Sequence, residues 1–185
     1  MNKTLSIIIP HLNLKDILDE CVNSIYRYTK GISFEIIVID NNSIDGSSEM
    51  LKKKYPHVQI IRNSINLGFN CAVNQGIKIS QSQYILIYNN DAILVENSFA
   101  KMIELIDSDI QIGAVGCKLI YPDGTLQYSS YSFPTFYTEL WDTFFLDKLF
   151  KKSRLFGKYR MSWWDHSEVK NVDWVAGTVL LAKKE

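Results

Sequence analysis

Residues 34–50 read FEIIVIDNNSIDGSSEM, and their reading decides the fold. Phe34 to Ile39 is a short, almost unbroken apolar run, which suits a strand buried on both faces. It closes on Asp40. Turn-forming residues follow, and Ser47 stands where it can cap a helix over 47–55, stopped before Pro56. The same pattern repeats outward in both directions. Thr4–Ile9 is an Ile-rich strand that Pro10 is expected to end, because proline cannot donate to a ladder. Residues 16–28 have helical spacing, with Ile17, Leu18, Cys21, Ile25 and Tyr28 on a broad face. Val58–Ile61 and Tyr84–Tyr88 read as strands, and 70–79 and 97–106 as helices, the last with Phe99, Met102, Ile103 and Ile106 inward.

Alternation of helices with continuously apolar strands predicts an α/β fold, with a central, mostly parallel sheet covered by helices on both faces. Ligands of such sheets bind outside the carboxyl ends of the strands. The polar clusters fall at those ends: His11 and Asn13, Asp40 to Asp45, Asn63 to Asn70, and Asn89 to Asp91. After about residue 117 the character changes. Lys118–Ser129 suggests a hairpin around Pro122-Asp123-Gly124. Residues 136–150 are aromatic and amphipathic, 148–160 hold six basic residues and no acid, and 169–174 and 177–182 read as closing strands or a strand and a turn. The expected organisation is one domain in two halves, 1–117 and 118–185.

The chain has 185 residues, 46% of them hydrophobic, enough for one full core. Lys+Arg equals Asp+Glu at 20 each, so nothing global points to nucleic acid, whose binders carry a basic excess. Cys21, Cys71 and Cys117 lack metal or disulfide spacing and read as reduced core thiols. No apolar run is long enough to span a membrane, so a cytoplasmic, soluble chain is expected. His57 and His166 read as surface residues. There is no GxGxxG after the first strand and no Walker-type phosphate loop, which argues against a nicotinamide or flavin enzyme and a P-loop enzyme.

Three constellations carry chemistry. Asn89-Asn90-Asp91 follows an apolar strand, so Asp91 stands at its exit. A hard divalent cation needs only one or two carboxylates there if a diphosphate supplies other ligands; a solvated Asx turn is the plainer alternative. Asp40-Asn41-Asn42 begins the second cluster, where Asp40 could accept an imide N–H from a pyrimidine and the next helix start is electropositive. In the third, Asn66-Leu67-Gly68-Phe69-Asn70, Gly68 permits close backbone approach, and Phe69 could cover a base or pack beneath it.

Taken together, the order strand–PHLN, strand–DNNSIDGS, NLGFNCAVNQG, strand–NND resembles family-2 glycosyltransferases, whose fold is called GT-A. Lys118-Leu-Ile-Tyr-Pro-Asp-Gly-Thr and Val172-Asp-Trp-Val-Ala-Gly-Thr resemble the rhamnosyltransferase-like branch. The resemblance implies a nucleotide-sugar site of Pro10, His11, Asn13, Asp40, Asn42, Asn66, Gly68, Phe69, Asn74, Asn90 and Asp91, with Asp40 reading a uracil or thymine ring. It implies Mg²⁺ or Mn²⁺ at Asp91, the last acid of a DxD-type motif whose first acid is here Asn89. Trp174, Ala176 and Gly177 match the motif near the acceptor.

The implied activity is inverting transfer from a UDP- or dTDP-sugar to a saccharide or lipid-linked acceptor in cell-surface polysaccharide synthesis. The family's catalytic base lies downstream of the tryptophan-alanine-glycine motif, where this chain has only Lys183-Lys184-Glu185. Asp165, Glu168 and Asp173 precede the expected place. The expectation is therefore a chain truncated before its base, and a nucleotide-sugar-binding module without transfer stays open beside the enzyme. A nucleotidyltransferase would need a glycine-rich basic loop after the first strand, and PHLNLKD is not one. For the apolar face within 137–160 three readings stand: a core helix, a membrane-surface patch at the inner face of the membrane, or a face normally covered, which predicts a homodimer.

Overall fold

The computed structural model describes residues 4–150 and 152–184, so Lys151 of the basic run and Glu185 lie outside the described residues. The chain divides into two compact units. The first comprises residues up to 115 together with 177–185, and the second is the intervening stretch 116–176. The last residues thus return to the first unit, whereas the expected second half ran unbroken from 118.

In the first unit, β1 (Leu5–His11), α1 (Lys15–Tyr28), β2 (Phe34–Asp40), α2 (Ser47–Lys54), β3 (Gln59–Arg62), α3 (Phe69–Ile79), β4 (Tyr84–Tyr88), α4 (Ser98–Ser108) and β5 (Ala114–Gly116) follow in order. The unit boundary falls within β5, between Val115 and Gly116. The six-stranded sheet has the order β3-β2-β1-β4-β10-β5, where β10 is Val179–Lys183. Strands β1 to β4 pair in parallel, and β10 runs antiparallel to β4. The expected mostly parallel α/β sheet is therefore present.

The two faces of the sheet follow from strand alternation. Ile8, Ile37, Ile39 and Ile85 lie on one face and close a core with Ala72 of α3. Tyr88 points to the other face and meets Phe99 of α4 edge-on at 5.7 Å. Leu18, Cys21 and Ile25 of α1 and Met102, Ile103 and Ile106 of α4 are buried as their spacing predicts, and Val22 of α1 is buried with them. Ile17 is exposed instead.

Pro10 does not end β1, which runs on through His11 opposite Asp40. The His11 carbonyl accepts from Asn41 N–H at 2.8 Å, so His11 faces β2 and Pro10 faces the other neighbour. On that side the β1–β4 pairing stops at Ile8–Ile87, and the missing N–H leaves no gap in a ladder. Ser47 is not the cap of α2 either. Gly46 holds the N-cap position with φ 80°, and the Ser47 hydroxyl donates to Asp45.

The second unit contains β6 (Leu119–Ile120) paired with β7 (Leu126–Gln127), as the Pro-Asp-Gly turn predicts, and β8 (Ser130–Tyr131) paired with β9 (Trp174–Val175). Between them lie α5 (Phe136–Thr143) and α6 (Leu146–Leu149). Strand structure in the 169–174 stretch begins only at Trp174. The aromatic helix is not a core helix: Phe136, Tyr137, Leu140, Phe144, Phe145 and Leu149 are all exposed. Three other expectations fail on burial. His166 is buried and stacked on Trp164 at 3.9 Å, so only His57 of that pair is on the surface. Cys71 is exposed and Cys117 half-buried, leaving Cys21 as the one thiol of the three that is buried.

Candidate functional site

The carboxyl ends of β1, β2, β3 and β4 carry polar loops that are stitched to one another. After β1 the chain turns through Asn13 and Leu14, both left-handed with φ 56° and 63°. Asparagine tolerates that region best among residues with a side chain beyond Cβ. Asn13 N–H donates to Ser43 Oγ at 2.8 Å, Asn13 Oδ1 accepts from Ile44 N–H at 3.1 Å, and Lys15 N–H donates to Asp45 Oδ2 at 2.8 Å. The β1 and β2 loops are therefore joined into one piece.

Asp40 is 1% exposed at the floor of that piece. Its Oδ1 accepts from Ser43 N–H at 2.7 Å and its Oδ2 from the Ser48 hydroxyl. Burial pushes the Asp40 pKa up, but the bonds from Ser43 and Ser48 outweigh it and hold the group below the usual carboxylate range. Arg62, in register with Asp40 at the end of β3, brings Nε to 3.7 Å from Oδ2 and donates through Nη2 to the Ser43 carbonyl at 2.7 Å. Asp40 thus serves its own loop first, and a ligand can use only the remaining acceptor positions of the carboxylate.

An amide network ties the β2 exit to α3. Asn63 Nδ2 donates to Asn41 Oδ1 and to Gln75 Oε1, each at 2.9 Å, and Gln75 Nε2 returns a bond to Asn63 Oδ1 at 3.0 Å. Asn41 Nδ2 reaches the Gly68 carbonyl at 3.4 Å. Gly68 takes φ 80° and ψ 169°, a conformation that glycine adopts without strain, and its N–H is held by Asn66 Oδ1 at 2.8 Å. The first N–H groups of α3 carry no side-chain cap. Asn66, Gly68, Phe69 and Asn74 are exposed beside them, as is Asn42 (φ 74°) on the β2 loop.

His11 is 2% exposed and contacts Asn90 Nδ2 through Nδ1 at 2.9 Å, which joins the β1 exit to the β4 exit. Its Nε2 is buried without a hydrogen-bond partner among the described residues. Burial lowers the His11 pKa, against the opposing charges of Asp40 and Asp45, so the ring is neutral near pH 7. A neutral ring that accepts at Nδ1 from the Asn90 amide carries its proton on Nε2. Asp91 is exposed one residue further on.

Most of the expected nucleotide-sugar residues therefore meet at one edge of the sheet. Pro10 is buried in β1 and shapes that edge without presenting a polar group. Trp174 and Ala176 belong to the second unit, where Trp174 stacks on Tyr131 at 4.2 Å and Ala176 N–H donates to the Ser129 carbonyl at 2.8 Å; Gly177 begins the return to the first. Asn41, Asn63 and Gln75 fall inside the polar clusters and motif read from the sequence but had no individual role there, and Arg62 was missed; its signal was a basic residue closing a strand parallel to the one that ends on Asp40.

Among the described residues no three His, Cys, Asp or Glu side chains converge on a metal position. Asp91 alone still suits a hard cation whose other ligands are phosphate and water. A separate groove of about 620 Å³ lies along α2, lined by Lys15, Gly46, Glu49, Met50, Lys53 and Lys54, and none of the expected site residues borders it. Asp165 accepts from Ser167 N–H at 3.0 Å, Asp173 from Phe133 N–H at 2.8 Å, and Glu168 pairs with Lys170 at 3.4 Å, so each acid that precedes the expected base position is engaged locally. No helix among the described residues is long and apolar enough to cross a membrane.

Comparison with known proteins agrees with this geometry. A family model described as "Glycosyl transferase family 2" matches residues 6–169. The poly(ribitol-phosphate) beta-glucosyltransferase of Bacillus spizizenii is 38% identical over 68 residues, 35% of this chain and 11% of that protein. The fold resembles the mannosyltransferase PcManGT from Pyrobaculum calidifontis, solved with GDP-Man and Mn2+: TM-score 0.58, 20% identity, 66% of this chain and 37% of that one. It also resembles S. aureus TarS 1-349 solved with UDP-GlcNAc: TM-score 0.58, 19% identity, 68% of this chain and 38% of that one. The chain spans about a tenth of the first relative and under two-fifths of the two solved chains.

Proposed function

This chain belongs to glycosyl transferase family 2, and from that premise we propose that its first unit binds a nucleotide-sugar donor, a UDP- or dTDP-sugar, for inverting transfer to a saccharide or lipid-linked acceptor in surface-polysaccharide synthesis. One observation carries the reading: His11 and Asp40 at the ends of β1 and β2, Gly68 before α3 and Asp91 after β4 lie at the carboxyl edge of one sheet, where hydrogen bonds join the segments that carry them. Ligands of parallel sheets bind at that edge.

Each group has a part. The loop held by Asp40 receives the base, with the free acceptor positions of its carboxylate available to a pyrimidine imide N–H. The uncapped N–H groups of α3, opened by Gly68, face the diphosphate. Asn90, aligned by His11, and exposed Asp91 hold the other side of the phosphates. Asp91 would hold Mg²⁺ or Mn²⁺, which, when bound, offsets charge on the leaving diphosphate. Trp174 and Ala176 serve the acceptor. The base that takes the acceptor proton is not assigned: Asp165, Glu168 and Asp173 are exposed, each with a single local partner. In a second reading this chain binds donor without transferring sugar.

Calorimetric titration with UDP and dTDP, with and without Mn²⁺, tests the site. The native chain is expected to bind, Asp91→Asn to lose the Mn²⁺ enhancement while keeping metal-free binding, and Asp40→Ala to lose both. Failure of a folded native chain to bind either nucleotide would sink the proposal. Binding without sugar transfer to any saccharide acceptor would select the second reading.

A further inference from the structure

We propose that the α5–α6 face of the second unit is a docking surface for an anionic lipid bilayer. Phe136 is 77% exposed, Phe144 65%, Phe145 61% and Leu149 73%. Phe136, Leu140 and Phe144 recur every four residues, which sets them along one side of α5 and its cap. Side chains of this size in contiguous exposure mark a contact surface rather than ordinary scatter.

The patch is held in shape before any partner arrives. Thr135 and Thr138 cap the start of α5 reciprocally. Arg160 pairs with Asp142 of α5 at 2.9 Å and with Asp147 of α6 at 3.1 Å, and so clamps both helices to the chain that follows. Residues 133–160 contain six basic and three acidic residues, a net charge of +3, and outside the cluster of Arg160 with Asp142 and Asp147 five basic residues stand against Glu139 alone.

What remains is an apolar face beside an excess of cations. Lys148 Nζ lies 4.8 Å from the Phe145 ring centroid, so one cation stands directly among the aromatic groups. Lys152 and Arg154 are exposed next in the chain. Aromatic and aliphatic groups flanked by Lys and Arg fit the boundary between headgroups and acyl chains, the basic side chains reaching back to phosphate. A second copy of the same face would bring like charges together, whereas an anionic bilayer complements both features. The inference does not rest on the donor-site reading, since no residue of that site takes part.

Vesicle co-sedimentation with the whole chain decides the matter, using phosphatidylcholine alone or with phosphatidylglycerol added. The native chain is expected to sediment with the anionic vesicles, less so at high salt. Lys152→Ala with Arg154→Ala should lower partitioning roughly thirtyfold, at about fivefold per cation near such a surface. Phe144→Ser with Leu149→Ser should abolish it while circular dichroism stays native, because both side chains are already in solvent. Equal binding to neutral vesicles overturns the proposal, as does failure of the folded native chain to sediment. Concentration-dependent self-association lost in Phe144→Ser also overturns it and assigns the face to a second copy.

Discussion

Gly76→Ala should destabilise the first unit even though it improves the intrinsic helix propensity of α3. A Cβ added at Gly76 would stand 2.5 Å from Ile8 Cγ2, 3.1 Å from Cγ1 and 3.2 Å from Cδ1. Carbon atoms pack best at about 3.5–4.0 Å, so the shortfall at Cγ2 is about 1 Å. Cγ2 sits on the branch point of a side chain with little χ1 freedom. Ile8 is fully buried and pairs with strands on both sides, so its backbone has nowhere to yield. Overpacking of this kind costs about 1–3 kcal/mol, and the contact puts it at the upper end. The gain from replacing glycine in a helix is about 1 kcal/mol. A net loss of about 1–2 kcal/mol remains, a fall of roughly 2–8 °C in Tm for a chain of this size. Urea unfolding measures it directly. Ile8→Val keeps both γ carbons and should not relieve the clash, whereas Ile8→Ala removes it. In the Ile8→Ala background, Gly76→Ala should become stabilising. An increase in midpoint for Gly76→Ala alone would refute the packing argument.

Three further outcomes follow from the site. Asp40 has a lowered folded-state pKa, so its contribution is complete above its unfolded value, near 3.9, and is lost as pH falls through the folded value; Asp40→Asn should flatten the acid limb of urea midpoint against pH. His11 is also lowered, but as a base, so the unfolded chain binds the extra proton. Stability should fall as pH drops below about 6.5 toward the folded pKa, and His11→Gln should remove that slope between pH 5 and 7. Asn63→Ala strands Asn41 Oδ1 and the Gln75 amide, and should cost about 1–3 kcal/mol with faster amide exchange at the start of α3.

The strands were legible because β1, β2 and β4 are buried on both faces and read as unbroken apolar runs. The loops at their carboxyl ends were legible for the complementary reason, that polar residues gather where the sheet stops. The direction of β10 was not, since Val179–Ala182 would look the same in a parallel or an antiparallel pairing. Nor was the fate of 136–150: periodicity announces an apolar face without saying whether anything covers it. Pro10 was misjudged because proline's effect depends on which neighbour its nitrogen faces. His166 was misjudged because a lone histidine carries no pattern, and here Trp164 stacks over it. The loop network escaped because bonds such as Asn63 to Gln75 join residues with no shared periodicity.

The place of β10 bears on how the chain is made. It fills the position between β4 and β5, yet it is translated only after the whole second unit. At roughly 5–20 residues per second, the stretch from Gly116 to Lys183 takes on the order of 3–14 s to emerge. Throughout that interval the growing chain carries β4 with one open edge and β5 without its neighbour. The same edge is open to the β10 of an adjacent nascent chain, so polysomes, where copies are crowded and half-finished, are where exchange between molecules would begin.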